Sequence, residues 1–223
     1  MDGVFLNIFL ENCMQMMKQN REELIRLDSI VGDGDLGLTM SDGFEAAYRA
    51  VENTQEDDFG KQLYIAGKAM ANKVPSTMGT LMASGFMNAG KRLKGKEAVD
   101  ESLIDSFLES YGEGVMNRGN AKLGEKTFLD GFLPASQVFK QAVKEGKGFC
   151  KSAEKAAKAA EKGYEDTKTM KAIHGRAAIH GENSRGFPDS GAYVAVLIFK
   201  ALLKTSEQYN LAGYSTLESR KQL

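Results

Sequence analysis

Three aspartates stand within one short stretch, Leu27-Asp28-Ser29-Ile30-Val31-Gly32-Asp33-Gly34-Asp35-Leu36-Gly37. Hard carboxylate oxygens gathered on a loop suit Mg²⁺, which takes one or two carboxylates and fills its octahedron with water and phosphate oxygens. A bound cation would turn an acidic loop into a receptor for a triphosphate. A capping turn at a helix start accounts for one such aspartate. Three of them around Gly32 and Gly34 favour a metal. The same stretch spells G-x-G-x-x-G at Gly32, Gly34 and Gly37, the dinucleotide fingerprint. That fingerprint needs a preceding strand and a βαβ unit, and Asp33 and Asp35 would repel a pyrophosphate. An EF-hand fails as well, since counting from Asp33 the sixth residue is Leu38 instead of glycine and the twelfth is Phe44 instead of glutamate.

Two further loops carry polar groups and glycine. Arg118-Gly119-Asn120-Ala121-Lys122-Leu123-Gly124-Glu125-Lys126-Thr127 misses a P-loop by one inserted residue before the lysine, so it reads as an interhelix turn or as a helix start offering backbone N–H groups to an anion. The segment from His174 to Gly191 holds both histidines, His174 and His180, on either side of Arg176. No acid or thiol stands near the histidines at ligand spacing, so they read as exposed loop residues. Arg176 suits a phosphate clamp. Asp189-Ser190-Gly191 reads as the cap of a following helix.

The elements that must position these loops are helical. Apolar residues recur at helical spacing over about 3–27, from 38 to Val51, and over 58–72, 78–93, 99–117, 127–145, 150–171 and Ala192 to Leu203. Gly85 and Ala89, four apart, would admit a close neighbouring backbone. Ala153, Ala156, Ala157 and Ala160 form one stripe, with Glu154 and Lys158 paired on the solvated side. Helix formers are abundant and β-branched residues sparse. The expected fold is all-α, an antiparallel bundle of eight helices in a single domain, 1–223, with the glycine-rich loops joining them.

Composition excludes several classes. The chain has 223 residues, 29 Lys+Arg against 30 Asp+Glu and a net charge of −1, with no electrostatic case for nucleic acid or an anionic membrane. Its 2 cysteines, Cys13 and Cys150, form no zinc or disulfide pattern and suit a reducing cytoplasm. No apolar run approaches the roughly 18 residues of a membrane span. Asp2 stands where a signal peptide places a base.

In order along the chain, the three aspartates with their glycines, Ser76-Thr77-Met78-Gly79-Thr80-Leu81, Gly119 and Gly124-Glu125-Lys126-Thr127-Phe128-Leu129-Asp130, Gly175-Arg176-Ala177, and Asp189-Ser190-Gly191-Ala192 resemble the nucleotide-binding L subunits of dihydroxyacetone kinases. The resemblance spans nearly the whole chain. It implies a barrel of eight antiparallel helices with the nucleotide at one end. It also implies two Mg²⁺ held by Asp28, Asp33 and Asp35, and ADP or ATP contacts from Leu36, Gly37, Leu38, Thr39, Thr77, Met78, Gly119, Phe128, Arg176, Asp189, Ser190 and Gly191. In that family a partner K-type subunit holds the keto-sugar, and the donor is ATP or a bound ADP recharged by a phosphotransferase-system (M-type) subunit.

The pattern departs from the family at four places. Leu36 and Phe187 replace histidines, Ser190 replaces a proline, and Met78 enters a glycine-serine loop. The implied function is phosphoryl transfer to dihydroxyacetone or a related small ketose, in the cytoplasm. The alternative is a non-catalytic ADP- or ATP-binding regulatory module.

Overall fold

The computed structural model describes residues 3–96 and 99–221, with side chains through Tyr209. Residues 1–2, 97–98 and 222–223, part of the expected 1–223 domain, lie outside the described residues. Nine α-helices are present among them: α1 (Gly3–Gln19), α2 (Arg21–Asp28), α3 (Leu36–Glu52), α4 (Phe59–Lys73), α5 (Thr77–Arg92), α6 (Glu101–Gly119), α7 (Phe128–Lys144), α8 (Phe149–Asp166) and α9 (Ser190–Lys221). Short 3-10 segments occupy Thr167–Thr169 and Arg176–Ser184. The described residues contain no strand.

Short loops make consecutive helices antiparallel. α1 packs on α3, each helix from α3 onward packs on the next, and α9 returns to α1. The result is a closed ring of eight, with α2 continuing the line of α1 and resting on α3. The all-α, eight-helix expectation therefore holds, with two corrections. The helix expected over 3–27 is broken at Asn20, whose side-chain amide donates to the Met16 carbonyl (2.9 Å) while its Oδ1 accepts from the Tyr193 hydroxyl (3.0 Å). An Asn side chain that binds its own preceding turn competes with helix continuation. A second correction concerns 150–171, which stops being α-helical at Asp166. There the Thr167 hydroxyl takes the Tyr164 carbonyl (2.6 Å), and a 3-10 turn follows.

Aromatic rings fill the barrel. Phe9, Phe44, Phe86, Phe107, Tyr111, Phe132 and Phe199 come from six different helices, and each is almost wholly buried. Phe107 meets Phe9, Phe59, Phe86 and Tyr111 at centroid distances of 5.8, 6.2, 6.4 and 5.9 Å. Edge-to-face and offset pairs of this kind add to the burial of the rings themselves. Small residues set the spacing elsewhere. A Cβ on Gly114 of α6 would lie 3.0 Å from the Gly85 Cα of α5, the close approach expected at Gly85. The alanine stripe of α8 is buried as expected, and the Glu154–Lys158 pair closes at 2.6 Å on its outer side.

Phe107→Ala removes the ring on which these contacts converge. It should cost about 3–5 kcal/mol in urea unfolding, with far-UV helical signal retained at zero urea.

Candidate metal and anion site

Alternation of direction around the ring has a local consequence. The loop of three aspartates leads into α3, so α3, α5, α7 and α9 all start at that end. A helix start carries unpaired N–H groups and the positive end of the macrodipole. Three of these starts are capped. Ser76 Oγ accepts from Gly79 N (3.0 Å), and Thr127 Oγ1 accepts from Leu129 N (3.2 Å). Asp189 Oδ2 accepts from Ala192 N (2.7 Å), so it caps α9 as the sequence suggests. At α3 the cap position is Asp35, whose side chain makes no capping bond.

That free carboxylate joins the other two. One oxygen from each of Asp28, Asp33 and Asp35 lies within 4.8 Å of the others, with Asp28 half-buried and the other two exposed. The local fold explains how they meet. Asp28 is the last residue of α2, and its Oδ2 accepts from Gly34 N (3.0 Å), which curls the loop back on the helix end. Gly34 has φ +73°, the left-handed region that glycine enters freely, so the curl is built into the Gly32-Asp33-Gly34-Asp35 sequence. Two groups from distant parts of the chain complete the cluster. Arg176 Nη2 pairs with Asp33 Oδ2 (2.7 Å), and Ser190 Oγ donates to Asp28 Oδ1 (3.2 Å). Partial burial, followed by the charges of Asp33 and Asp28, raises the Asp35 pKa, and Arg176 opposes this. Hard oxygen donors, mutual repulsion and an open outer side fit a divalent cation with further positions for phosphate or water.

The remaining sequence candidates divide by what they expose. Leu36, Gly37, Thr39 and Phe128 have buried side chains or none, so they offer the site only backbone N–H groups at the starts of α3 and α7. The Phe128 ring stacks on Phe132 at 5.0 Å inside the barrel. Thr77 and Leu38 are exposed, and Met78 is half-buried. A Cβ on Gly191 would sit 3.2 Å from Phe128 N and 3.6 Å from the Met78 methyl, so the starts of α5, α7 and α9 meet there. Gly119 lies at the end of α6 beside Leu81, one turn into α5.

Several polar contacts in these loops have no counterpart in the sequence reading. His174 is half-buried and bonded through Nε2 to Glu125 Oε2 (2.7 Å), whereas the sequence suggested a free, exposed histidine. Their separation of 49 positions hides the pair from any local pattern. His174, then the Lys122 amide, hold the Glu125 carboxyl below its usual range. Asp130 is buried and accepts from Gly124 N (2.6 Å) and Thr127 N (2.7 Å). The Thr127-x-x-Asp130 spacing of a capping box was the available signal for it.

Loss of solvent is the main cause raising the Asp189 carboxyl to about 7, against the pull of Ala192 N–H and Lys126. With the folded pKa raised, its stabilising contribution is present below the unfolded carboxylate pKa and is lost as pH rises through about 7. Wild-type protein should therefore lose stability relative to Asp189→Asn between about pH 4 and 7. Parallel urea titrations across that range check it, and equal slopes for the two proteins would refute it.

Similarity to known proteins spans most of the chain. The DAK2 domain family matches residues 30–204, beginning two residues after Asp28. The ADP-binding subunit DhaL of a PEP-dependent dihydroxyacetone kinase from Listeria innocua is 30% identical over 197 residues, covering 88% of this chain and 93% of its own. L-erythrulose 1-kinase from Mycolicibacterium smegmatis is 32% identical over 197 residues, or 86% of this chain, which spans only 34% of that longer protein. The crystal structure of the C. freundii dihydroxyacetone kinase in complex with AMP-PNP and Mg²⁺ superposes with a TM-score of 0.67 at 22% identity, over 88% of this chain and 33% of that one. With a family match over most of its length and an all-helical barrel in common with a solved relative, the chain belongs to the DAK2-domain family, among the DhaL-type members.

Proposed function

We propose that this chain is the nucleotide-binding subunit of a kinase for dihydroxyacetone or a related small ketose. The observation that carries the reading is the convergence of Asp28, Asp33 and Asp35 at the end of the barrel where four helices begin. In this reading the three carboxylates hold two Mg²⁺, which neutralise phosphate charge and keep the transferred group in line. The starts of α3 and α5, at Leu36 to Thr39 and at Thr77 and Met78, receive phosphate oxygens on backbone N–H groups. Ser190 orients Asp28, and Arg176 adds a cation beside Asp33. Gly119, Phe128, Asp189 and Gly191 complete the nucleotide's surroundings. The ADP-binding name of the Listeria relative and the AMP-PNP and Mg²⁺ of the C. freundii complex support ADP or ATP as the ligand. The named dihydroxyacetone and erythrulose kinases support a short keto-sugar as acceptor.

No second pocket for a sugar is needed on this chain if the acceptor is held by a partner K-type subunit. The exposed apolar side chains agree with such a partner. Ile30, Leu38, Leu123, Ile173 and Ile179 all belong to the site end, and Ile179 is 86% exposed. An apolar rim around a charged site gives a docking face that also keeps water from the transfer. Residues 1–223 act here as one domain, in the cytoplasm. No helix of the described residues is long and apolar enough to cross a membrane. Recharging of bound ADP by an M-type subunit is the donor route that a PEP-dependent relative suggests.

Asp33→Asn should weaken Mg²⁺-dependent ADP binding by at least about tenfold in calorimetry, the loss that even an outer partner of a metal ligand produces, with the helical spectrum unchanged. Undiminished binding or phosphoryl transfer would refute the site. Ile179→Asp should leave ADP binding intact and weaken capture of a K-type subunit by about tenfold or more, measured by interferometry. Tight nucleotide binding by wild type, with no transfer in the reconstituted pair, would point to a regulatory module.

A further inference from the structure

The turn between α6 and α7, which misses a P-loop by one residue, gives its lysine a place of its own. Lys126 is 3% exposed, and its ammonium feels the charge of Asp189 without a direct ion pair to it among the described residues. It donates instead to the Thr167 carbonyl (2.8 Å) and the Phe187 carbonyl (2.6 Å), and it lies 5.0 Å from the centroid of the Phe187 ring. A buried ammonium directed at two backbone carbonyls and an aromatic face is unavailable to a phosphate. Its backbone is also committed, with φ +60° at a residue that is not glycine, a conformation few side chains keep without a reason.

Both carbonyls lie on the segment that delivers Arg176 and Ser190 to the aspartates. Thr167 Oγ1 accepts from Asp189 N (2.9 Å), and Asp189 caps α9 immediately before Ser190. Phe187 stands three residues before Ser190. Next to Lys126, Glu125 grips the same segment from outside, through His174 (2.7 Å) and through its own carbonyl, which accepts from Ile173 N (3.3 Å). Lys126 thus holds both ends of the 167–189 segment, and Glu125 its interior at Ile173 and His174, against the start of α7.

We propose that Lys126 is a positioning residue for the metal–nucleotide site, a buried strut whose ammonium sets the 167–189 segment so that Ser190 meets Asp28. The proposal rests on the nucleotide reading above and assigns it a residue outside the cluster. Loss of the ammonium frees Phe187 and Thr167, lets Asp189 and Ser190 shift, and leaves Asp28 less well oriented toward a cation. Orientation of a metal ligand by an outer hydrogen bond is worth about 10–100-fold in affinity.

The test uses the full chain, Mg²⁺ and ADP. Lys126→Gly suits the left-handed backbone and removes the whole side chain. It should weaken Mg²⁺–ADP binding by about tenfold or more, and n-butylammonium, which restores stem and charge, should recover affinity where 1-butanol does not. Ser190→Ala should lose less when added to Lys126→Gly than when made alone, because the two act on one path. In metal-free protein, amide exchange over 184–190 should quicken in Lys126→Gly. Equal rescue by butanol, independent losses at 126 and 190, or unchanged affinity and exchange would each overturn the proposal. If Lys126→Gly loses its helical spectrum, Lys126→Met, which keeps the stem, should show the same loss of affinity; if both unfold, the lysine serves the fold and the proposal fails. Failure of wild type to bind Mg²⁺–ADP would refute the nucleotide reading, while the exchange measurement still reports on the strut by itself.

Discussion

Holding three carboxylates within 4.8 Å of each other works against their mutual repulsion, and much of the site end is arranged around that constraint. Neutral donors from the chain meet part of it: Gly34 N–H and the Ser190 hydroxyl both serve Asp28. Arg176 answers Asp33. Asp35 receives least, and partial burial, then the charges of Asp33 and Asp28, raise its pKa. Asp33 and Asp35 stand just before the start of α3, whose dipole favours negative charge, while Asp28 ends α2 and depends on its two donors; the outer side of the cluster is open to solvent and cations. The barrel supplies what the loop cannot, a rigid base. Rings from most of its helices interlock behind the site, so the loop ends are fixed even though the loop itself is short and rich in glycine.

Where the sequence departs from the family pattern, the structure gives the substituted residues physical places. Leu36 is buried at the start of α3 and contributes apolar packing, so that position reaches the site through its backbone alone. Met78 packs against the core and the Gly191 backbone. Ser190 gains a bond to Asp28 that a proline has no hydroxyl to make. Phe187 provides a ring for the Lys126 ammonium and a carbonyl for its hydrogen bond. None of the four removes a carboxylate from the cluster.

Much of this was legible along the chain because its causes are local. Helical spacing marked eight staves, glycines at Gly32 and Gly34 marked the acidic turn, and Asp189 announced the cap of α9. What stayed hidden depends on distance. The Ser190–Asp28 bond joins residues 162 apart, and Glu125–His174 joins residues 49 apart. The place of Lys126 stayed hidden for a different reason. Its neighbours match a phosphate loop in composition, and only the left-handed turn at that residue sends the side chain inward. Asn20 was missed because one side-chain amide, taking the Met16 carbonyl, is enough to end a helix whose apolar pattern continues.

An even number of staves in a closed ring has a topological result. α1 begins and α9 ends on the side away from the acidic turn, so both leave the barrel from its back. A tether attached at either terminus never has to cross the front. Such a barrel is compatible with life as a separate chain or as one part of a longer polypeptide, and the erythrulose kinase relative, of which this chain spans 34%, is of the longer kind.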